Sequence, residues 1–205
     1  MKKKTVCFRV VSLVILLAIM LALSASVSAQ TSIEDARKSV VRIVALETGW
    51  ENMRFPAFSV ASGFIVGEQA PFEYVATAWH VVDPARIGAE SVDIFIYRSR
   101  DDLVPARVHV ALEVVDIVLL RLDPAHLLHG YEPLYIGRRE MASVGDEVFA
   151  IGFPAAADVA LTDIPAAFYT NATVTRGIIS RLTTVAGVAY YQMDASVSPG
   201  NSGGP

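Results

Sequence analysis

The chain has 205 residues, 53% of them hydrophobic, with 17 Lys and Arg against 21 Asp and Glu for a formal net charge of −4. That length buries one large core or two small ones. The acidic balance disfavours nucleic acid as a partner, and a single cysteine excludes a disulfide framework.

Part of the hydrophobic excess is local. Lys2, Lys3, Lys4 and Arg9 precede an apolar run from Val10 to Leu23, interrupted by Ser12, and Ser24 to Ala29 is small and polar. This order predicts a secretory signal peptide over 1–29, cleaved after Ala29. The alternative is an uncleaved membrane anchor, for which the run is short. Cys7 lies within the leader, so the mature chain carries none. Its 17 − 4 = 13 basic residues then face 21 acidic ones, for a net charge of −8. An exported protein of this kind, stabilised by its core alone, suits a periplasm or cell surface.

After the leader, Ile33 to Lys38 predicts a short helix with Ser32 as its cap. Strands are predicted at 39–47, 58–66, 74–78, 92–98, 104–112 and 115–122 from β-branched and alternating residues, separated by turn formers such as Gly49, Pro71 and Asp83-Pro84. Six strands at these intervals predict a small antiparallel barrel over 30–124. A connector follows at 125–143. Strands resume at 147–152, 172–182 and 188–194, within a second unit over 144–205. Three strands do not close a barrel, so the second one is expected to be incomplete in this chain, with the rest beyond Pro205.

Three polar residues occupy settings where polarity is costly. Asp116 interrupts VVDIVLL, Val114 to Leu120, and a carboxylate buried there needs a partner. The plainer reading is a strand-end residue reaching solvent. His80 lies in TAWHVV, Thr77 to Val82, where the strand is expected to continue and a satisfied core histidine is the plainer reading. Ser202 lies in SPGNSGGP, whose glycines permit backbone forms that turn successive N–H groups inward. A serine hydroxyl needs a general base to act as a nucleophile. His80 is the candidate base and Asp116 the group that fixes its tautomer, with the N–H groups of Gly200 and Ser202 as the oxyanion hole. His109 alternates within a strand. His126 and His129 have metal-compatible spacing, but no Cys or carboxylate pair completes a site.

These motifs resemble the trypsin-like serine peptidases, and among them the bacterial HtrA (Deg) group: TAWHVV around the histidine, DIVLLRL from the aspartate, GNSGGP around the serine. SGFIV, VGDEVFAIGFP, TVTRGIIS and YQMDASVSPGNSGGP extend the resemblance over almost all of 39–205. It implies an all-β fold of two six-stranded antiparallel barrels with the triad His80, Asp116, Ser202 between them. The implied reaction is peptide-bond hydrolysis through an acyl-enzyme, with polypeptide substrates and no cofactor or metal. It also implies trimers and a PDZ domain further along the gene product. Trp79 stands where the group has a small residue, which opens a contrary reading: a peptide-binding module whose histidine is covered by the indole. Asn201 replaces the aspartate that pairs with a new N-terminus in digestive relatives.

Overall fold

The computed structural model describes residues 32–68, 71–99, 102–128, 131–138, 141–154, 171–185 and 187–205. The leader expected at 1–29 and His129 lie outside the described residues. Ile33–Lys38 forms helix α1, with Glu34 and Asp35 in its first turn and Arg37 and Lys38 in its last, the charge order that a helix dipole favours.

Six strands follow: β1 (Val40–Glu47), β2 (Phe58–Val66), β3 (Tyr74–Thr77), β4 (Val92–Ser99), β5 (Asp102–Leu112) and β6 (Ile117–Leu122). All neighbours pair antiparallel, and the order β1-β2-β3-β6-β5-β4 closes on itself through the β1–β4 pairing. Closure leaves no strand edge unpaired around the ring. Between β3 and β4 lies the four-residue helix α2 (Pro84–Ile87). Asp83 caps it by accepting the Ala85 N–H at 3.1 Å, and Gly88 ends it in the left-handed region.

Alternation along β1 explains where the core sits. Val41, Ile43 and Ala45 point into the barrel and meet Ile65, Val75, Ile96 and Leu120, while Val40 points outward. Ile43, Ile65, Ile96 and Leu120 are fully buried, each contributing about 1.5–3 kcal/mol relative to exposure. The first part of the connector belongs to this barrel: Leu128 is fully buried in its core and pairs with Phe72, and the Leu134 N–H donates to Ile65 O at 3.0 Å.

The second sheet has the order β7-β8-β9, with β7 (Glu147–Gly152), β8 (Thr173–Val185) and β9 (Val188–Met193). It meets the barrel through a small separate core of Val40, Ile151, Phe153 and Ala172.

One local expectation changes, and one open choice resolves. The sequence carries β3 through Val82, but the strand ends at Thr77 and Trp79–Val81 is a 3-10 turn. Of the two readings of Asp116, the strand-end residue reaching solvent is the one observed: it is half-exposed, because the apolar run around it turns rather than lies flat, with Glu113–Val115 a second 3-10 turn and Val114 90% exposed.

Candidate active site

His80 is held at the end of β3 by its neighbours. Val81 and Val82 are buried in the barrel core and Trp79 packs partly buried against it, so the turn aims the intervening imidazole outward, with 40% of its side chain exposed. Trp79 lines a cleft of about 500 Å³ with residues of β4 and β5. The indole packs on the barrel core, and the imidazole beside it stays partly exposed.

Asp116 faces this turn from the other side. It is the one non-glycine residue at positive φ among the described residues (φ 57, ψ 42), following the Glu113–Val115 turn and leading into β6. An L-residue pays about 1–2 kcal/mol for this conformation, least for Asp and Asn. The conformation allows one residue to grip the histidine turn at three points. Asp116 O accepts the Trp79 N–H at 3.2 Å, its Oδ1 accepts the His80 N–H at 2.8 Å, and its Oδ2 lies 2.6 Å from His80 Nδ1. An ionised carboxylate only accepts, so Nδ1 is the donor of this pair, and in the neutral imidazole the lone pair then lies on Nε2.

Ser202 reaches the same region from the second sheet. Its loop is held by internal bonds, Asn201 N–H to Ser198 O at 3.0 Å and Gly204 N–H to Asn201 O at 2.9 Å. Outside contacts come from β2 and β7: the Ser62 N–H donates to Ser202 O at 2.9 Å and the Ile151 N–H to Pro205 O at 3.0 Å. Gly203, at φ 78, lies against the end of β3. A Cβ there would collide with Thr77 Oγ1 and come within 2.6 Å of the Ala78 nitrogen, so only glycine lets the serine loop approach so close to the histidine turn. No hydrogen bond joins Ser202 Oγ to His80 among the described residues.

Gly200 takes φ 100, and neither its N–H nor that of Ser202 donates to a protein acceptor among the described residues. Two free donors beside a serine are what an oxyanion hole requires. Val197, Ser198, Pro199, Asn201 and Ser202 line an open depression of about 530 Å³. Among the described residues, the buried Asn201 Oδ1 has no hydrogen-bond partner.

The other histidines lie elsewhere. His109 sits in β5 with its ring 5.2 Å from that of Tyr74, and His126 is 4.0 Å from Asp123. Among the described residues no group of three or more His, Cys, Asp or Glu side chains is placed to hold a metal ion. One residue of the site escaped sequence reasoning. Ser62, fully buried in β2, contacts the serine loop through both backbone and side chain. Its signals in the sequence are a hydroxyl inside the otherwise apolar or glycine-containing stretch VASGFIV and its place at the head of SGFIV, neither of which points to a role.

A closed six-stranded antiparallel barrel beside a second sheet, with a histidine–aspartate pair on the first and a glycine-flanked serine on the second, is the chymotrypsin-like layout. The family model for the trypsin-like peptidase domain matches residues 61–205, and the chain belongs to that family. It is 31% identical over 151 residues to a probable periplasmic serine endoprotease, DegP-like, of Halomonas elongata, covering 72% of this chain and 26% of that protein. It is 27% identical over 192 residues to the serine protease Do-like HtrA of Bacillus subtilis, covering 84% and 38%. It is 32% identical over 152 residues to the putative serine protease HhoA of Synechocystis, covering 70% and 32%. The chain thus spans between about a quarter and two fifths of the length of these relatives.

Proposed function

We propose that the protein is an exported serine endopeptidase that cuts polypeptides through His80, Asp116 and Ser202. The observation that carries this reading is the doubled hydrogen bond from His80 to Asp116, which leaves Nε2 as the basic atom of the ring. Nε2 takes the Ser202 Oγ proton as the oxygen attacks the scissile carbonyl, and Asp116 stabilises the imidazolium that forms. The carbonyl oxygen, now negative, is held by the N–H groups of Gly200 and Ser202. The imidazolium then gives its proton to the leaving amine, the acyl group stays on Ser202 Oγ, and water releases it by the same steps in reverse order. No cofactor or metal enters this scheme. Export follows the predicted leader and the periplasmic description of the Halomonas relative, and proteins of the cell envelope, misfolded ones included, are the substrates we assign.

The missing hydrogen bond between Ser202 Oγ and His80 favours a second reading, a cleft that binds peptides without cutting them. Catalytic hydrogen bonds that are loose in a free enzyme tighten when substrate arrives, so the first reading stands ahead. A fluorophosphonate probe applied to the folded full-length protein separates the two. Covalent labelling abolished by Ser202→Ala is expected. A folded protein that takes no label is a binding module, and labelling that survives Ser202→Ala removes Ser202 as the nucleophile.

A further inference from the structure

One residue of the barrel, Ser62, holds the serine loop at two of its carbonyls. Ser62 lies in β2 and is fully buried, yet all of its polar atoms are engaged. Its Oγ donates to Gly200 O at 2.7 Å and accepts the Phe153 N–H at 2.8 Å. Its N–H donates to Ser202 O at 2.9 Å, and its carbonyl accepts from Thr77 Oγ1 at 2.7 Å. The hydroxyl proton is committed to Gly200, because the second bond to Oγ comes from a donor.

A peptide group is planar, so fixing a carbonyl fixes the N–H on its far side. The Gly200–Asn201 peptide is held by Ser62 Oγ at its oxygen and by Ser198 O at its N–H. The Ser202–Gly203 peptide is held by the Ser62 N–H at its oxygen. Between them the Asn201–Ser202 peptide, which carries the Ser202 N–H, has its oxygen taken by the Gly204 N–H. With three successive peptides held, the Ser202 N–H is directed away from its own loop, and the Cα of Gly200 is fixed at the position from which its N–H projects. The Phe153 bond ties the end of β7 to the same hydroxyl, and the Thr77 bond ties in the strand that leads to His80.

We propose that Ser62 is a positioning residue for catalysis: its hydroxyl and N–H set the backbone around Ser202 so that the Gly200 and Ser202 N–H groups converge on the developing oxyanion. This inference rests on the peptidase reading above and adds to it a residue that touches neither substrate nor reacting atoms. The bonds act on the transition state, since the tetrahedral oxyanion draws on those N–H groups more strongly than the ground-state carbonyl does.

Two variants of the full-length protein test it, with active sites counted by fluorophosphonate titration. Ser62→Ala keeps the side chain's volume and removes both hydroxyl bonds. It should lower kcat by roughly ten- to a hundredfold, short of the 10²–10³ lost when an oxyanion donor is deleted outright, with KM within about threefold. A peptide boronic acid, which forms a tetrahedral adduct on Ser202, should lose affinity by the same factor, and the corresponding peptide amide should not. Ser62→Thr keeps the hydroxyl but crowds its site, so it should melt earlier while retaining most of the boronate affinity. Equal losses of boronate and amide binding in Ser62→Ala, or boronate losses that follow melting temperature across the two variants, would overturn the proposal. Backbone amide NMR gives a readout independent of turnover: the Gly200, Ser202 and Phe153 signals should shift in Ser62→Ala, and unchanged signals would equally overturn it. A wild-type protein that takes no label at Ser202 but shows these shifts sinks the peptidase reading and leaves the backbone role of Ser62 standing.

Discussion

Replacing Asp116 by asparagine removes the carboxylate while sparing the backbone, because asparagine accepts the left-handed conformation (φ 57) at this position nearly as well as aspartate. The structure dictates how the new amide must sit. The His80 N–H, 2.8 Å from Oδ1, needs an acceptor, so the amide oxygen occupies that place and its NH2 group falls where Oδ2 lay, 2.6 Å from Nδ1. An NH2 group donates, so Nδ1 must accept, and the ring proton moves to Nε2. The base is then blocked at the atom that should take the serine proton. The expected loss in kcat is about 10⁴-fold, equivalent to about 5 kcal/mol on the barrier. The change in stability should be far smaller. With side-chain exposures of 40% and 49%, solvent screens the pair and the cost is about 1 kcal/mol, a fall of roughly 2–4 °C in melting temperature. Hydrolysis of a fluorogenic peptide by the full-length protein measures the first quantity and a thermal melt the second. An Asp116→Asn protein keeping more than about a tenth of wild-type kcat, or losing activity only through KM, would refute the tautomer reasoning.

Gly203→Ala should lower stability by about 3 kcal/mol or more and abolish probe labelling: φ 78 disfavours a Cβ, and that Cβ would run into Thr77 Oγ1 and the backbone of Ala78 and Ser62. Chemical denaturation reads the first effect, and a variant as stable as wild type would show that the loop does not sit against β3. Asn201→Asp should destabilise by several kcal/mol near neutral pH, since Oδ1 is buried without a donor among the described residues and an ionised carboxylate there is uncompensated. The folded protein would hold that proton more tightly than the unfolded chain. The penalty is therefore small below the ordinary carboxylate range and grows as pH rises through it, and denaturation at pH 4 and pH 7 should reveal the difference.

The strands were legible where one face is apolar and turn formers bound the run. β2 and β7 begin and end where alternation and flanking residues place them. The sequence failed where a tertiary contact outweighs propensity. Thr77 to Val82 reads as a continuing strand, yet Asp116 takes the Trp79 and His80 N–H groups that a ladder would need, and the chain turns. The same contact explains the exposure of Asp116: its partner comes with a turn toward solvent, not with a hole in the core. The three residues of the candidate triad could be picked out because each is costly in its setting unless it has a use. Ser62 could not, since a small hydroxyl in a strand has many harmless explanations and its partners lie 91 and 138 positions away.

The join between barrel and second sheet has a consequence for how such a molecule fails. Among the described residues, four buried side chains, Val40, Ile151, Phe153 and Ala172, make up the core between the two, against a much larger set inside the barrel. The ring and its carboxylate belong wholly to one side of that seam, and the hydroxyl to the other. Warming or mild denaturant should therefore part the reacting groups before the barrel loses its own shape. Such a protein would fall silent while its barrel still looks folded, and on cooling it would have to re-seat the second sheet and its bonds to Ser62 to work again.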